Sequence, residues 1–340
     1  MTHPDAPDTS VFALPDQCLQ GWKESRQLAF PKSYRECEHV VFAGTGGSAY
    51  GAEIVSAWGR LHLRVPSVVI SSGALPVWAN KKTLVVVTSY SGSTEEAVAL
   101  AREAHTLGCK LVVIAKGASL ARLARRFGAP AYIFDDRKTN PSQQPRMGSG
   151  ITLSALLGML SRLGYLALGQ SDMLAAVSQM RKRQRQRSFV KQAETLAKRL
   201  VGRTPLLISA EHLQGMLVPL RNQIHENAKH FAIADSVPEL NHHLMEGLGH
   251  PASVKNLTAV FFPSGSYSKN VKRRMAITKE VLKKQGVPSV DVKVSADTRL
   301  AEILVLLSFG GLLSLVLAKA NHVDPKVIPW VDYFKAKMAK

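Results

Sequence analysis

The stretch "VVTSYSGSTEEA", Val86–Ala97, decides the reading of this chain. A run of apolar, mostly β-branched residues stops abruptly in hydroxyl side chains around one glycine, and two acids follow where a helix would begin. Short apolar runs of this kind belong to strands buried on both faces. In an open parallel sheet, ligands sit beyond the C-terminal ends of the strands. A helix N-terminus at that place offers unpaired N–H groups and a partial positive charge, which suits phosphate. Gly92 lets the backbone approach closely, and Ser89, Ser91, Ser93 and Thr94 add uncharged donors. The turn therefore reads as a phosphate cradle that uses neither a lysine nor a metal. Ser93-x-x-Glu96 also fits a capping box, which accounts for Ser93, Glu95 and Glu96 but not for Ser89, Ser91 and Gly92.

Working outward, short apolar runs alternate with helical patterns from Val40 to Asp136. Strands are expected at Val40–Ala43, Ser67–Ser71, Leu84–Ser89, Lys110–Ala115 and Ala131–Asp135. Strands alternating with helices mean βαβ units and a parallel sheet. The polar stretch "DRKTNPSQQPRMGSG", Asp136–Gly150, reads as a loop or boundary, and a helix-rich segment follows to about Arg203. The pattern then restarts: "PLLISA" (strand), "EHLQGMLVPLRNQIHENAKHF" (helix), "LTAVFF" (strand), the hydroxyl-rich turn "PSGSYS", "KNVKRRMAITKEVLKKQG" (helix) and "PSVDVKV" (strand). The second half echoes the first. The expected fold class is α/β, with two related subdomains, each a parallel sheet flanked by helices. The expected division is an N-terminal segment 1–39, a first subdomain 40–150, a helical connection 151–203 and a second subdomain 204–340 with a functional C-terminal tail.

The chain has 340 residues, 46% hydrophobic and 20% charged, which is globular rather than disordered. Its three cysteines, Cys18, Cys37 and Cys109, lie far apart, so no disulfide framework is expected and a reducing cytoplasm is the natural setting. The polar opening "MTHPDAPDTS" has no secretory character. The run Ile303–Ala318 is apolar but shorter than the roughly 20 residues a bilayer needs, and it is interrupted by Ser308, Gly310, Gly311 and Ser314. A buried core or subunit-interface helix is expected there, not a membrane span. The net charge of +19 fits a solvated basic surface, steering of an anionic ligand or weak nucleic-acid attraction. "RKRQRQR", Arg181–Arg187, has no interleaved aromatics and gives no sign of specific nucleic-acid binding.

A second turn, "AGTGGSAYGAE", Ala43–Glu53, follows the first strand. Gly44-x-Gly46-x-x-Ala49 nearly fits a dinucleotide fingerprint, but the next strand, "SVVISSGALP", ends without the acid that would hold a ribose. No cofactor is expected, and the turn reads instead as the wall of a sugar pocket contributing Ser48.

Together the two turns resemble the sugar isomerase (SIS) domain family, whose members bind phosphosugars. "HENAKHF", "ELNHHLMEG" and "DPKVIPWVDYFK" narrow the resemblance to the bifunctional phosphoglucose/phosphomannose isomerases, over nearly the whole chain from about Val40. The resemblance implies an aldose–ketose isomerase interconverting glucose 6-phosphate and fructose 6-phosphate, with mannose 6-phosphate as a second substrate. It implies that Gly47, Ser48, Ser89, Ser91 and Thr94 hold the phosphate, and that Glu226, His242, Lys335 and Arg146 do the chemistry. It also implies a homodimer in which His242 is donated across the interface.

These residue types suit the reaction. One carboxylate, Glu226, can take a proton from C2 and return it to C1. An imidazole near neutral pKa, His242 or its neighbour His243, can open the ring. Lys335 can help move a proton at the ring oxygen and C1 hydroxyl, and Arg146 can stabilise the enediolate. His225, His230, His242, His243 and His250 lack the spacing that puts ligands on one helix face, so no metal is expected. One position departs from the family. Seven residues before the terminal lysine the bifunctional enzymes carry threonine and ordinary phosphoglucose isomerases glutamine, which helps place a water near C2; here it is Ile328, which has no polar atom, so the expectation rests on glucose 6-phosphate and the departure counts against mannose 6-phosphate. The other readings are a non-catalytic phosphosugar-binding regulator, for which the segment before the first strand is short of a helix-turn-helix domain, and an isomerase of another sugar phosphate.

Overall fold

The computed structural model describes residues 7–71 and 73–338; the first six residues of the polar opening, and Ala339 and Lys340 of the basic tail, lie outside them. Two short helices, α1 (Pro7–Phe12) and α2 (Leu14–Ser25), precede the first strand. Beside Pro15 in its first turn, the buried residues of α2 are Leu14, Gln17, Cys18, Gly21, Trp22 and Ser25, which recur at helical spacing. The first sheet then forms from β1 (His39–Ala43), β2 (Ser67–Ile70), β3 (Thr83–Ser89), β4 (Lys110–Ala115) and β5 (Ala131–Ile133), with α3 (Tyr50–Gly59), α4 (Glu95–Thr106) and α5 (Ala118–Phe127) between them. All its pairings are parallel, in the order β2-β1-β3-β4-β5. Every residue of β3 is buried, as its uninterrupted apolar run requires.

Three helices follow: α6 (Ser149–Leu163), which packs along α2, then α7 (Gln170–Gln184) and α8 (Arg187–Leu200). The basic run Arg181–Arg187 ends α7 and starts α8, with Gln184 buried in its midst and donating to Ser308 Oγ at 2.8 Å. The second sheet contains β6 (Thr204–Ala210), β7 (Ile233–Val237), β8 (Leu257–Phe261) and β9 (Ser289–Asp291), again all parallel, in the order β7-β6-β8-β9. Its helices are α9 (Leu217–Ala228), α10 (Lys269–Lys284), α11 (Arg299–Ala320) and α12 (Pro329–Met338). β7 is absent from the sequence reading. "IADSV" carries an acid and a serine in a half-buried edge strand, so it lacks the apolar run that marks its neighbours.

Among the described residues one helix, α11, is long and apolar enough to cross a membrane, and 89% of its apolar window is buried inside the fold. It packs against α7, α8 and α9, as the sequence leads one to expect of a core helix. The helix read from Glu211 onward begins instead as a 3₁₀ turn, Glu211–Met216, with Glu211 in the left-handed region at φ 45°.

In both sheets the chain moves one way from its first strand and then the other. The crevice between β1 and β3, and its counterpart between β6 and β8, are thus topological switch points, where α/β sheets bind ligands.

Candidate functional site

At the first switch point, the loops after β1 and β3 lock onto each other. The Tyr90 N–H donates to Ser48 Oγ at 2.8 Å, tying the 3₁₀ turn Gly46–Ala49 to the end of β3. Ser89 Oγ shares a 2.8 Å hydrogen bond with Thr94 Oγ1 and accepts from the Gly92 N–H at 3.1 Å. Gly92 is at φ 74°, and a Cβ there would lie 1.9 Å from the Gly117 carbonyl oxygen. The loop is held from that side as well, since the Leu120 N–H donates to the Gly92 carbonyl at 2.9 Å. Ser48 and Ser89 are buried, Thr94 is half-buried and Ser91 is exposed.

The expected capping box at Ser93 and Glu96 does not form. The cap of α4 is Thr94, without a side-chain cap hydrogen bond, and Ser93 Oγ donates instead to Ser91 Oγ at 3.1 Å. Hydroxyls that would close a helix end are used to shape the loop.

Behind the cradle lies a buried network that sequence reasoning missed. The Tyr90 hydroxyl donates to Asp136, which is fully buried and pairs with Lys116 at 3.1 Å, while Asn140 Nδ2 donates to the Tyr90 oxygen at 2.8 Å. Burial, and then the bond to Asp136, hold the Tyr90 phenol well above its ordinary pKa, so it stays a donor. The only sequence signal was an acid at a strand end, read as the start of a loop.

The second group of residues meets at Arg146. A Cβ on Gly47 would lie 3.2 Å from the Arg146 nitrogen, so the β1 loop sits directly on the 3₁₀ turn Pro145–Met147. Arg146 is 1% exposed, yet each arm of its guanidinium is used. Nε donates to Asn227 Oδ1 at 2.5 Å, Nη1 to Gln144 Oε1 at 2.9 Å and to Glu226 Oε2 at 3.3 Å, and Nη2 to the Pro325 carbonyl at 2.7 Å. Burial pulls this guanidinium below its usual pKa, opposed chiefly by Glu226. Asn227 is fixed in turn, its Nδ2 donating to Ser314 Oγ of α11 at 2.8 Å. Lys229, which ends α9 at φ 48°, donates from Nζ to the Glu226 carbonyl at 2.9 Å and to the Asp324 carbonyl at 2.5 Å. Burial holds the Lys229 ammonium below its usual pKa.

The structure thus brings Gly47, Ser48, Ser89, Thr94, Arg146 and Glu226 to one crevice, with Ser91 at its rim. It does not bring His242 there. His242 ends the 3₁₀ turn Glu239–His242, is exposed, and makes no side-chain hydrogen bond to another described residue. Asn241 beside it bonds Thr278 of α10 at 2.7 Å. Lys335 lies on α12, which has no buried residue and carries Trp330, Val331, Tyr333, Phe334 and Met338 exposed. The segment entering α12 is anchored to Arg146 through Pro325, and Ile328 in it is half-buried. Among the described residues no group of three or more His, Cys, Asp or Glu is gathered for a metal ion.

The second switch point is occupied by the chain's own carboxylates. Ser264, in the hydroxyl-rich turn after β8, donates to Glu302 Oε2 at 2.6 Å, and His212 Nε2 lies 2.7 Å from the same oxygen. Glu211 Oε1 accepts from the Ser268 N–H, at the N-terminus of α10, at 3.0 Å.

Known proteins resemble this chain along most of its length. Residues 189–338 match the bacterial phospho-glucose isomerase C-terminal SIS domain. A bifunctional phosphoglucose/phosphomannose isomerase of Caldicellulosiruptor bescii is 28% identical over 97% of this chain and 98% of its own length. Its counterpart in Aquifex aeolicus is 26% identical over 88% of this chain and 90% of its own. Among solved structures, a hypothetical protein of Thermus thermophilus shares the fold with a TM-score of 0.74 at 17% identity, over 98% of this chain and 90% of that one. Two sheets with matching switch points, a hydroxyl loop on one of them and an arginine–glutamate pair beside it are carried by a chain that is similar, nearly from end to end, to the bifunctional phosphoglucose/phosphomannose isomerases.

Proposed function

We propose that the protein is an aldose–ketose isomerase that interconverts glucose 6-phosphate and fructose 6-phosphate through an enediolate. The observation that carries this reading is the junction of Gly47 with Arg146, which sets the hydroxyl loops one residue away from a buried arginine paired with a half-open carboxylate. Ser48, Ser89, Ser91 and Thr94, with the N–H groups around Gly47 and Gly92, hold the phosphate by uncharged donors. That end fixes the sugar, and its other end reaches Glu226.

The chemistry then follows from the residue types. Once the ring is open, the Glu226 carboxylate takes the proton from C2. The C–H electron pair becomes the C1–C2 double bond and the aldehyde oxygen becomes an oxyanion, whose charge Arg146 faces. The C2 hydroxyl gives its proton to the C1 oxyanion, which becomes the C1 hydroxyl; as the C2–O double bond forms, the enediol electron pair takes the proton back from Glu226 at C1, so a single carboxylate serves both half-reactions. Lys335 moves a proton at the ring oxygen and the C1 hydroxyl. Ring opening falls to His242 of a second copy of the chain. Its exposure, and its lack of any bond to the Arg146 cluster of its own chain, support delivery from a neighbour. The apolar side chains exposed on α12 support a homodimer in the same way. The functional unit we propose comprises residues 40–150 and 204–340, joined by the helices of 151–203.

The test is an isomerase assay on purified protein with glucose 6-phosphate and mannose 6-phosphate separately, repeated with Glu226→Gln. Turnover of glucose 6-phosphate that the variant loses is expected. Most of the activity surviving in the variant removes Glu226 from the mechanism, and tight sugar-phosphate binding without turnover leaves the regulator reading. Mannose 6-phosphate, named for the relatives, tests whether Ile328 is compatible with the second substrate.

A further inference from the structure

Gly310 and Ser314 stand one turn apart in the apolar core helix α11, on the side that meets α9. A Cβ on Gly310 would run into Leu220 of α9 and lie 3.2 Å from Gln223 Oε1, so the glycine lets the two helices come close. Gln223 and Asn227 share one face of α9, four residues apart. Both grip the same arginine. Gln223 Nε2 donates to the Arg146 carbonyl at 3.1 Å, and Asn227 Oδ1 accepts from Arg146 Nε at 2.5 Å. Glu226, the residue before Asn227, accepts from Nη1 at 3.3 Å, so consecutive side chains of one helix hold the guanidinium at two points. Gln223, Asn227, Ser314 and Arg146 are at most 1% exposed, so their polar atoms depend on neighbours rather than on bulk solvent.

The bonds in this group run in one sense only. A hydroxyl has a single proton. That of Ser314 goes to the Gly311 carbonyl of its own helix, 2.7 Å away, so Ser314 offers Asn227 nothing but lone pairs. The Asn227 amide must therefore turn its NH2 to Ser314, which it meets at 2.8 Å, and its oxygen to Arg146. Turned over, the amide would set a donor against the donating Nε–H of the arginine, and its oxygen against a hydroxyl with no proton left to share.

We propose that Asn227 is a positioning residue for Arg146 and that Ser314 sets the sense of its amide, so that together they fix the plane in which the guanidinium meets the enediolate. This rests on the reading of Arg146 as the group that faces that charge. Loss of the serine hydroxyl leaves the arginine in place, with its bonds to Gln144 and Pro325, but frees the amide to turn over and the guanidinium plane to follow. Grip on the phosphate is left to the hydroxyl loops.

The experiment is Ser314→Ala, read by calorimetric binding of two open-chain probes that carry the same phosphate. Arabinonate 5-phosphate ends in a planar carboxylate, with the charge and shape of an enediolate; sorbitol 6-phosphate ends in neutral hydroxyls. The natural protein is expected to bind the first at least about a hundredfold tighter. In Ser314→Ala that preference should fall about tenfold, the scale of one misdirected hydrogen bond to a charged group, while affinity for sorbitol 6-phosphate stays within about twofold. In turnover kcat should fall likewise, with KM held within about twofold. Ser314→Cys, nearly the same size but a poor acceptor, should show the same selective loss and stands in if the alanine variant does not fold. A preference that survives the substitution, or affinities for both probes that fall alike, overturns the inference. If the natural protein prefers the carboxylate and the Ser314 variants keep that preference, only this inference fails; if the natural protein shows no preference, the reading of Arg146 fails with it.

Discussion

Arg146 Nη1 stands 3.3 Å from Glu226 Oε2, with the arginine side chain 1% exposed and the glutamate 28%. The cation is locked inside the protein while the carboxylate keeps one side open to a ligand. Coulomb attraction in such a site is screened little. The arginine is fixed by Asn227, Gln144 and the Pro325 carbonyl, so it needs no rearrangement when charge develops in front of it.

Replacing that arginine separates its two roles. Lysine keeps the charge but cannot reach Asn227, Gln144, Glu226 and Pro325 from one planar fork. Arg146→Lys is expected to fold and to lose about 10²–10³ in kcat, read by steady-state kinetics. Arg146→Ala strands Glu226 and several buried acceptors, and is expected to cost about 3–5 kcal/mol in urea unfolding.

The hydroxyl loop makes a prediction through its backbone. Gly92 and Gly46 are both left-handed, at φ 74° and 59°, and alanine at either adds about 1–2 kcal/mol of backbone strain. Only Gly92 faces an obstacle, with Gly117 oxygen 1.9 Å from a built Cβ, while nothing lies within 4 Å at Gly46. Gly92→Ala is expected to raise KM at least about tenfold by opening the cradle. Gly46→Ala should lower stability with KM changed less than about threefold. Equal KM effects would show that the Gly117 contact does not shape the phosphate site.

Stability should also depend on pH through two histidines. Burial holds His62 and His225 below the usual value of 6.5. Below that pH the unfolded chain binds protons that the folded chain refuses. Stability therefore rises with pH across the window and is lost on acidification through about 6.5. Denaturant unfolding at about pH 7.5 and about pH 5.5 is expected to show the loss, and His225→Gln should reduce the difference between the two pH values. A difference unchanged in the variant would mean that His225 does not take part.

The exposed face of α12 predicts behaviour on dilution. Trp330 is 82% exposed, Phe334 63% and Tyr333 59%, an apolar surface that calls for a partner. Trp330→Asp with Phe334→Asp is expected to shift the protein toward monomer in sedimentation. Specific activity of the natural enzyme should fall as it is diluted through its dissociation range. A monomeric natural enzyme with constant specific activity would remove the partner-supplied His242 from the mechanism.

Why the first sheet could be read and parts of the site could not comes down to particular residues. Runs such as "LVVVTS" are buried on both faces, so β1, β3 and β4 followed from their apolar residues, while the half-buried β2 and the short β5 were placed by the alternation of strands with helices around them. The hydroxyl loop was legible for the same reason, standing where such a run stops. Ser93 misled because a hydroxyl three residues before a glutamate caps a helix only if the backbone turns at that serine, and here the turn falls at Thr94. Asn227 was illegible as a neighbour of Arg146, because a contact across 81 residues leaves no local periodicity. Asp136 was hidden similarly, its partners Tyr90, Lys116 and Asn140 being set by the fold.

The carboxylates of Glu302 and Glu211, seated where the second hydroxyl turn would otherwise face an anion, make the two halves unequal. One half offers cargo its uncharged hydroxyls; the other is already filled by the chain's own acids and serves as ballast. Saturation of this polypeptide should therefore level off at a single sugar for each chain, despite an architecture that was laid down twice.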